Sequence, residues 1–324
     1  MLEQEKIHQV ECQISVVVPM YNESSNVAVF FQRLVPILES TGLSYEIICV
    51  NDGSSDDTLV RLQKERQNNP AIAIVDLSRN FGKELALTAG LNFSRGNAVI
   101  PIDSDLQDPP ELITSMIAKW HEGYDVVYAV RSSRSGESFM KRLTAKMFYK
   151  TINYITDIDI PRDTGDFRLL DRRVVDVLNK IPENTRFMKG LFAWVGFKQT
   201  GIFFDRDPRF SGKTKWNYWK LWNFAIDGIT LFSATPLKVW TYAGFSIALL
   251  SLFFAAFVII KTLVKGIDVP GYASIMVTVL FIGGIQLLSV GIMGEYIGRI
   301  YTEAKRRPLY IVNKIYGINN DSTS

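Results

Sequence analysis

The sequence contains few of the residues that bind transition metals or form disulfide bonds. Its 324 residues include two cysteines, Cys12 and Cys49, and two histidines, His8 and His121. Two cysteines are too few for a disulfide framework or a four-cysteine metal site. Neither histidine has a second candidate ligand near it in the sequence, so we assign no catalytic or metal-binding role to either one.

An excess of one charge sign is also lacking. The 36 Lys and Arg residues nearly balance the 33 Asp and Glu residues, which leaves a net charge of +3. A dedicated nucleic-acid-binding domain usually has a strong basic excess, so we expect no nucleic-acid partner. The sequence has no Gly-x-x-x-x-Gly-Lys-Ser/Thr loop and no Gly-x-Gly-x-x-Gly turn after its first apolar segment. A bound nucleotide would need another way to hold its phosphates.

Long apolar stretches are present, and both lie near the C-terminus. Val239–Ile260 is 22 residues without a charge, and Val269–Gly294 is 26. Because a transmembrane helix needs about 20 apolar residues, we predict a membrane hairpin with spans at about 239–262 and 270–294. The alternative is a pair of buried helices in a soluble core, which seldom run this long without a charge.

The Lys and Arg residues around the two stretches predict their orientation. The loop between them contains Lys261 and Lys265, whereas ten basic residues lie in the two flanks. These are Arg209, Lys213, Lys215, Lys220 and Lys238 before the spans, and Arg299, Lys305, Arg306, Arg307 and Lys314 after them. The positive-inside rule therefore predicts an inner-membrane protein whose termini and soluble part are cytoplasmic. Residues 1–13 lack the apolar core of a signal peptide.

Residues 216–238 are predicted to form an interfacial segment between the soluble part and the spans. Trp216–Phe224 is dense in aromatic residues and includes one lysine, as is typical of segments at the level of the lipid headgroups. An aromatic core helix is the alternative. The predicted organisation is thus a soluble domain at 1–215, this segment, and the membrane hairpin with a cytoplasmic tail at 239–324.

The soluble part has the pattern of an α/β fold. Short runs rich in Val and Ile recur at 14–18, 46–50, 72–75, 98–102 and 125–129. Amphipathic stretches of helical length, such as Asn26–Glu39 and Asp57–Gln67, separate several of these runs. Continuous apolar strands alternating with helices predict a mostly parallel, Rossmann-like sheet that is covered on both faces.

Polar clusters follow three of the predicted strands. They are Pro19–Glu23, Asn51–Ser54 and Asp103–Asp105. Ligands of open α/β sheets bind at the carboxyl ends of the strands, where these clusters would meet. The two carboxylates of Asp103 and Asp105 suit Mg²⁺ or Mn²⁺, which bind few carboxylates and complete their shell with substrate phosphates. Taken singly, each cluster also fits ordinary turn and helix-capping chemistry.

An ordered set of motifs then carries a resemblance to a known family. The segments are Val17–Glu23, Val50–Asp56, Asn80–Lys83, Asp103–Pro110, Asp163–Leu170 and Arg209–Trp216. Together they resemble the signatures of family 2 glycosyltransferases with a GT-A fold. The closer resemblance is to polyprenyl-phosphate glycosyltransferases, namely dolichyl-phosphate mannose synthases and bacterial undecaprenyl-phosphate glucosyltransferases. It covers roughly residues 14–300, including the paired apolar helices.

The resemblance implies a role for each motif. Pro19, Tyr21, Glu23 and Asp52 would hold the base and ribose of a nucleotide sugar, with Lys83 and Asp103 also near the nucleotide. The metal on its diphosphate would be bound by Asp103, Asp105 and Gln107. Asp166 is similar in position to the catalytic aspartate of inverting relatives, and we name Asp166 and Arg168, which lies in the same motif, as the candidate catalytic residues.

The acceptor can be argued from its chemistry. A lipid monophosphate is largely dianionic at pH 7 because its second pKa is about 6, so it is already a nucleophile and needs cations more than a base. Arg168, Arg209, Lys213 and Lys215 are the candidate phosphate ligands. For this acceptor we expect Asp166 to act by positioning or electrostatics, with proton acceptance as the alternative. Lipid headgroup binding would also account for some of the cations.

We therefore predict a metal-dependent, inverting transfer of a sugar to a polyprenyl phosphate such as undecaprenyl phosphate. UDP-glucose is the first choice of donor, with GDP-mannose or a UDP-aminosugar as alternatives. One alternative is a processive polysaccharide synthase, which shares the fold, but the Gln-x-x-Arg-Trp motif of that group is absent. The alternatives from other classes are an inactive membrane-tethered nucleotide-binding scaffold and a lipid flippase. Glycines such as Gly283 and Gly294 in the second span would allow close helix packing, which leaves a homo-oligomer open.

Overall fold

The computed structural model describes residues 12–132, 164–183, 186, 188–204, 235–265 and 271–318. The strands are β1 (Ile14–Met20), β2 (Tyr45–Asn51), β3 (Ile72–Leu77), β4 (Ala98–Pro101), β5 (Val126–Arg131), β6 (Thr164–Asp171), β7 (Gln199–Phe204) and β8 (Val312–Tyr316). The helices are α1 (Val27–Ser40), α2 (Thr58–Asn68), α3 (Lys83–Phe93), α4 (Leu112–His121), α5 (Arg172–Lys180), α6 (Met188–Trp194), α7 (Thr235–Lys265) and α8 (Tyr272–Ala304).

The eight strands form one mixed sheet in the order β7-β5-β6-β4-β1-β2-β3-β8. Four neighbouring pairs are parallel, namely β1 with β2, β1 with β4, β2 with β3, and β5 with β7. The pairs that involve β6 or β8 are antiparallel. The prediction of a mostly parallel α/β sheet is confirmed, and each of the five apolar runs lies in a strand of it apart from at most one residue at an end.

Both faces of the sheet are buried, which explains the continuous apolar runs. Alternate residues along β1 point to opposite faces, so Val16 and Val18 pack in one hydrophobic cluster and Val17 in the other. Helices α1, α2 and α4 contribute to the first cluster, and α3, α5 and α6 contribute to the second. A strand that is buried on both sides cannot alternate between polar and apolar residues.

The strand order brings the predicted polar clusters together. Strands β4, β1 and β2 are adjacent and parallel, so their carboxyl ends meet at one edge of the sheet. The segments after these strands contain Tyr21 and Glu23, Asp52, and Asp103 and Asp105. Strand β6 runs antiparallel to β4, so its beginning, with Asp166, lies at this same edge.

Two long helices, α7 and α8, contain the predicted spans. They have 31 and 33 residues, and at about 1.5 Å per residue each is longer than a membrane core is thick. Large apolar side chains such as Phe253, Leu263 and Leu287 are exposed along them. In the described part of the chain, one helical segment, Phe281–Ala304, is long and apolar enough to cross a membrane. The other span and the topology stay predictions.

One loop at this edge depends on a glycine. Gly53 has a φ of +61°, and a Cβ atom there would lie 2.3 Å from the carbonyl carbon of Arg79 and 2.5 Å from the nitrogen of Asn80. Gly42 has a similar φ of +67°, but no atom would lie within 4 Å of its Cβ. The pair therefore separates backbone strain, which both positions share, from steric overlap, which only Gly53 has.

We expect Gly53→Ala to lower the free energy of unfolding by about 3 kcal/mol, as the sum of left-handed strain and overlap with backbone atoms that cannot move aside. Gly42→Ala, the matched control, should cost only the strain, about 1 kcal/mol. Thermal denaturation of the detergent-solubilised variants compares the two. Equal losses would show that the backbone of Arg79 and Asn80 does not approach Gly53 this closely.

Candidate active site

Asp52 ties two loops of the sheet edge together. Its side chain is buried, with 2% of the residue exposed, and its two carboxylate oxygens accept hydrogen bonds from the backbone N–H groups of Phe81 at 2.7 Å and Gly82 at 3.0 Å. Burial raises the pKa of Asp52, and these two hydrogen bonds and Arg79 oppose that rise. The predicted nucleotide contact of Asp52 would therefore come from a residue that also shapes the loop leading to Lys83.

The first polar cluster lies beside this loop pair. Tyr21 is 38% exposed at the edge, Pro19 is half-buried in β1, and the Glu23 carboxylate accepts a hydrogen bond from the Asn26 side chain. The Asn22 backbone N–H donates to the Ser54 hydroxyl at 3.0 Å. The structure thus brings the residues predicted to hold the base and ribose to one end of β1 and β2.

Lys83 joins the other two clusters. Its ammonium lies 2.8 Å from the Asp103 carboxylate, after β4, and 2.6 Å from Asp166, in β6. Half of the Lys83 side chain is exposed, whereas the Asp166 side chain is 11% exposed. Three predicted site residues from separate parts of the sequence are therefore in direct contact.

The charged groups of this cluster shift one another's pKa values. Burial acts to raise the pKa of Asp166, but Lys83, Lys189 and Arg168 lower it below its usual range. Burial likewise acts to lower the pKa of Lys83, and the Asp103 and Asp166 carboxylates raise it well above its usual range. At neutral pH Asp166 is thus an anion and Lys83 a cation, which leaves Asp166 a weak base.

Arg168 follows Asp166 by two residues in β6. It is 4% exposed, donates a 2.8 Å hydrogen bond to the carbonyl oxygen of Gly165, and stacks 3.9 Å above the Phe192 ring. Burial lowers its pKa to about 10, and Asp166 opposes that shift. Arg168 is therefore a buried cation that stays charged at neutral pH, in the electrostatic reach of Asp166.

The predicted metal ligands lie on one irregular loop. Asp103, Asp105 and Gln107 are half-buried, whereas the alternate residues Ser104 and Leu106 are buried. An Asp105 carboxylate oxygen accepts a hydrogen bond from the Gln107 backbone N–H at 3.1 Å. Among the described residues no group of three or more His, Cys, Asp or Glu side chains is placed to hold a metal. Two carboxylates and an amide oxygen still fit a hard divalent ion that takes its other ligands from phosphate.

The structure adds residues that the sequence analysis missed. Asp108 is buried, and a Cβ atom on Gly165 would lie 3.7 Å from its carboxylate and 4.0 Å from the guanidinium of Arg131. The Nε atom of Arg131 is buried and has no hydrogen-bond partner among the described residues. Lys189 of α6 acts electrostatically on Asp166. Asp108 lies in the Asp103–Pro110 motif, but no sequence signal pointed to the other two.

The predicted acceptor ligands Arg209, Lys213 and Lys215 lie outside the described residues, as does most of the interfacial segment. The described site therefore consists of the loops after β1, β2 and β4, the Lys83 cluster and the cations Arg131, Arg168 and Lys189.

Comparison with known proteins identifies the family. The pattern of glycosyl transferase family 2 matches residues 15–178, just over half of the chain. The chain belongs to glycosyl transferase family 2. The pattern of a second family, the GtrB C-terminal hairpin, matches residues 235–300 of this glycosyltransferase. These residues include α7 and most of α8.

Full-length relatives support the same assignment. An uncharacterized glycosyltransferase of Synechocystis is 61% identical over 306 residues, covering 94% of this chain and 96% of its own. A bactoprenol glucosyl transferase of Shigella phage SfII is 47% identical over 301 residues, covering 93% and 97%. A prophage bactoprenol glucosyl transferase homolog of Escherichia coli K12 is 44% identical over 302 residues, covering 93% and 99%.

Glu84 is a further charged group of this glycosyltransferase site. It lies in the first turn of α3 and accepts a 3.3 Å hydrogen bond from the backbone N–H of Met188. Burial and the Asp166 carboxylate raise its pKa from 4.5 to about 7, although Lys83 and Lys189 act in the opposite direction. Between these two pH values the folded protein holds a proton that the unfolded chain has released, so this contribution to stability is lost as the pH rises.

We expect Glu84→Gln to remove that loss, because glutamine keeps the acceptor for Met188 and cannot ionise. Relative to the variant, the wild-type protein should lose about 2 kcal/mol of unfolding free energy between about pH 5 and about pH 8. Denaturation curves at both pH values test this, with Glu39→Gln on the exposed side of α1 as the control. Parallel curves for Glu84→Gln and wild type would contradict the raised pKa.

Proposed function

We propose that the protein transfers glucose from UDP-glucose to a polyprenyl phosphate such as undecaprenyl phosphate, with inversion at the sugar carbon. The observation that carries this proposal is the contact of Lys83 with both Asp103 and Asp166. It places the end of β4, where the donor diphosphate would bind, beside β6, which contains Arg168, and near the end of the neighbouring strand β5, which contains Arg131. Relatives named bactoprenol glucosyl transferases, 47% identical over most of the chain, support glucose and the lipid acceptor.

The charges of the site suit a phosphate nucleophile. A lipid monophosphate is largely dianionic at pH 7, so it can attack the sugar without a base. The low pKa of Asp166 makes it a poor proton acceptor. We infer that Asp166 instead orients Lys83 and the cations around it, while Arg131 and Arg168 attract the acceptor phosphate. The predicted ligands Arg209, Lys213 and Lys215 would complete this cation set.

The donor would lie along the ends of β1, β2 and β4. Pro19, Tyr21, Glu23 and Asp52 are candidates for the base and ribose, and Lys83 for the diphosphate. Asp103, Asp105 and Gln107 would hold Mg²⁺ or Mn²⁺, which supplies Lewis-acid stabilisation of the departing diphosphate. Lys83 already neutralises Asp103 in the described structure, so the same carboxylate is suited to contact a cation.

The membrane helices would bring the acceptor to the site. Exposed apolar side chains such as Phe254 and Leu287 line α7 and α8, and burying them in lipid removes them from water. We infer two spans with both flanks, and therefore the catalytic domain, on the cytoplasmic side. A soluble donor and a polyprenyl phosphate would then meet at the membrane surface, and a second copy of the chain is compatible with this arrangement.

We expect the purified, detergent-solubilised protein to convert undecaprenyl phosphate and UDP-glucose to a lipid-linked glucose in the presence of Mg²⁺. The measurement is radiolabel transfer into the lipid fraction, with GDP-mannose and UDP-N-acetylglucosamine run in parallel. Faster transfer from one of these would correct the donor. No transfer from any of the three, together with intact nucleotide binding, would favour an inactive scaffold.

The matched variant for this assay is Asp105→Ala, because Asp105 is a predicted metal ligand and is half-exposed on the loop after β4. Turnover should fall by about a hundredfold or more if Asp105 helps to hold the ion on the diphosphate, while the melting temperature stays close to that of the wild type. Wild-type turnover in Asp105→Ala would remove the metal assignment.

The topology makes a separate prediction. In a Cys12→Ser background, where the remaining Cys49 is buried, Lys265→Cys should react with a membrane-impermeant thiol reagent applied to right-side-out membrane vesicles. Lys305→Cys, just after α8, should react only after the vesicles are opened. Reaction of both positions in closed vesicles would contradict a hairpin with two cytoplasmic flanks.

A further inference from the structure

The chain returns to the soluble sheet after its last long helix. Strand β8 pairs antiparallel with β3 and forms one edge of the sheet. Just before β8, the carbonyl oxygen of Ile311 accepts a 2.9 Å hydrogen bond from the backbone N–H of Ser78. The Tyr310 hydroxyl accepts a 2.8 Å hydrogen bond from the Asn92 side chain in α3. The C-terminal segment is thus attached to the elements that lead into and out of Lys83.

A buried carboxylate connects β8 with the loop after β2. Asp76 of β3 is 5% exposed. One of its oxygens accepts a 2.8 Å hydrogen bond from the side-chain amide of Asn313, and the other accepts a 2.7 Å hydrogen bond from that of Asn51. The amide oxygen of Asn51 in turn faces the backbone N–H of Ser54 at 3.4 Å. Hydrogen bonds therefore run from β8, through Asp76, to the loop that contains Asp52.

Both donors matter because a buried carboxylate is costly when one of its oxygens loses its partner. Without the Asn313 amide, the Asp76 carboxylate would be more stable if it turned toward water or changed its hydrogen bond with Asn51. Asn51 directly precedes Asp52, whose carboxylate holds the N–H groups of Phe81 and Gly82. A shift of Asn51 would thus reach both donor-side loops.

We propose that Asn313 is a positioning residue for nucleotide binding, acting through Asp76 and Asn51 on the loop that contains Asp52. The segment that follows the membrane helices is then part of the donor site. This inference rests on the proposed function for the identity of the ligand, a nucleoside diphosphate. The residues that determine donor affinity would then include Asn313, which lies 237 positions after Asp76 in the sequence.

The geometry separates this role from simple strand stability. Strand β8 is held to β3 by main-chain pairing, with Ile315 opposite Val75 and Tyr316 opposite Ile74. The Asn313 side chain is itself exposed at the surface, so its truncation leaves no cavity and leaves the main-chain pairing in place. Loss of Asn313 should therefore change nucleotide affinity more than it changes folding.

The test measures binding of UDP and of GDP to the full-length detergent-solubilised protein by isothermal titration calorimetry. Asn313→Ala should raise the Kd of the nucleotide that binds about tenfold, with kcat at saturating donor within about twofold of wild type. The control is Lys314→Ala, since Lys314 pairs with Asp76 through the main chain while its ammonium lies over the Tyr316 ring, so this variant leaves the hydrogen bond from Asn313 to Asp76 in place. Its Kd should equal that of the wild type.

A pair of variants tests the hydrogen-bond path itself. Asn313→Asp places a second carboxylate against Asp76 and should weaken binding more than Asn313→Ala does. Adding Asp76→Asn should restore the Kd to within about threefold of wild type. The amide at position 76 can accept from Asn51 through its oxygen and donate to the carboxylate at position 313 through its nitrogen.

The outcomes are distinct. An unchanged Kd in Asn313→Ala, or a double variant that is no better than Asn313→Asp, overturns the positioning role even if wild type binds the nucleotide. A fall in melting temperature with an unchanged Kd overturns it as well, because it assigns Asn313 to folding alone. Failure of the wild-type protein to bind either nucleotide overturns the proposed function, and this inference with it.

Discussion

The site depends on one ammonium group placed between two carboxylates. The carboxylates of Asp103, after β4, and Asp166, in the neighbouring strand β6, would repel each other. The Lys83 ammonium contacts both and makes their approach favourable. Lys83 can lie there because the loop before it is held by Asp52, which accepts the N–H groups of Phe81 and Gly82. The beginning of α3, the end of β4 and the beginning of β6 are thereby joined into one electrostatic unit.

The direction of β6 decides which side chains that unit contains. In a fully parallel sheet the residues that begin a strand lie at the opposite edge from the ligand. Because β6 runs antiparallel to β4, Asp166 and Arg168 come to the edge where the parallel strands end. The proposed donor site in the loops and the proposed acceptor site at this reversed strand would then share Lys83.

The long apolar helices α7 and α8 are connected to the same edge through the chain that follows them. Glu303, at the end of α8, interacts electrostatically with Glu183 and Arg186, in the segment that follows α5. Strand β8 then joins the sheet beside β3, and Asp76 receives hydrogen bonds from both its own neighbour β2 and from β8. The base of the apolar helix and the donor-side loops are therefore parts of one connected structure.

The sequence by itself determined the local features of the protein. Continuous runs such as 46–50 predicted strands buried on both faces, and uncharged stretches of 22 and 26 residues predicted long apolar helices. The motif order indicated the family, and Lys83, Asp103 and Asp166 were each named from motifs. These features depend on neighbouring residues and on their spacing, which a sequence shows directly.

Only the tertiary structure decided how these residues meet. The contact of Lys83 with Asp166 joins positions 83 residues apart, and the bond of Asn313 to Asp76 joins positions 237 apart. The raised pKa of Glu84 likewise arises from burial and from Asp166, which lies on another element. Strand β8 is only five residues long, and its position in the predicted cytoplasmic tail gave no indication that it pairs with β3. Charge interactions act through space, and strand order determines which distant segments share that space.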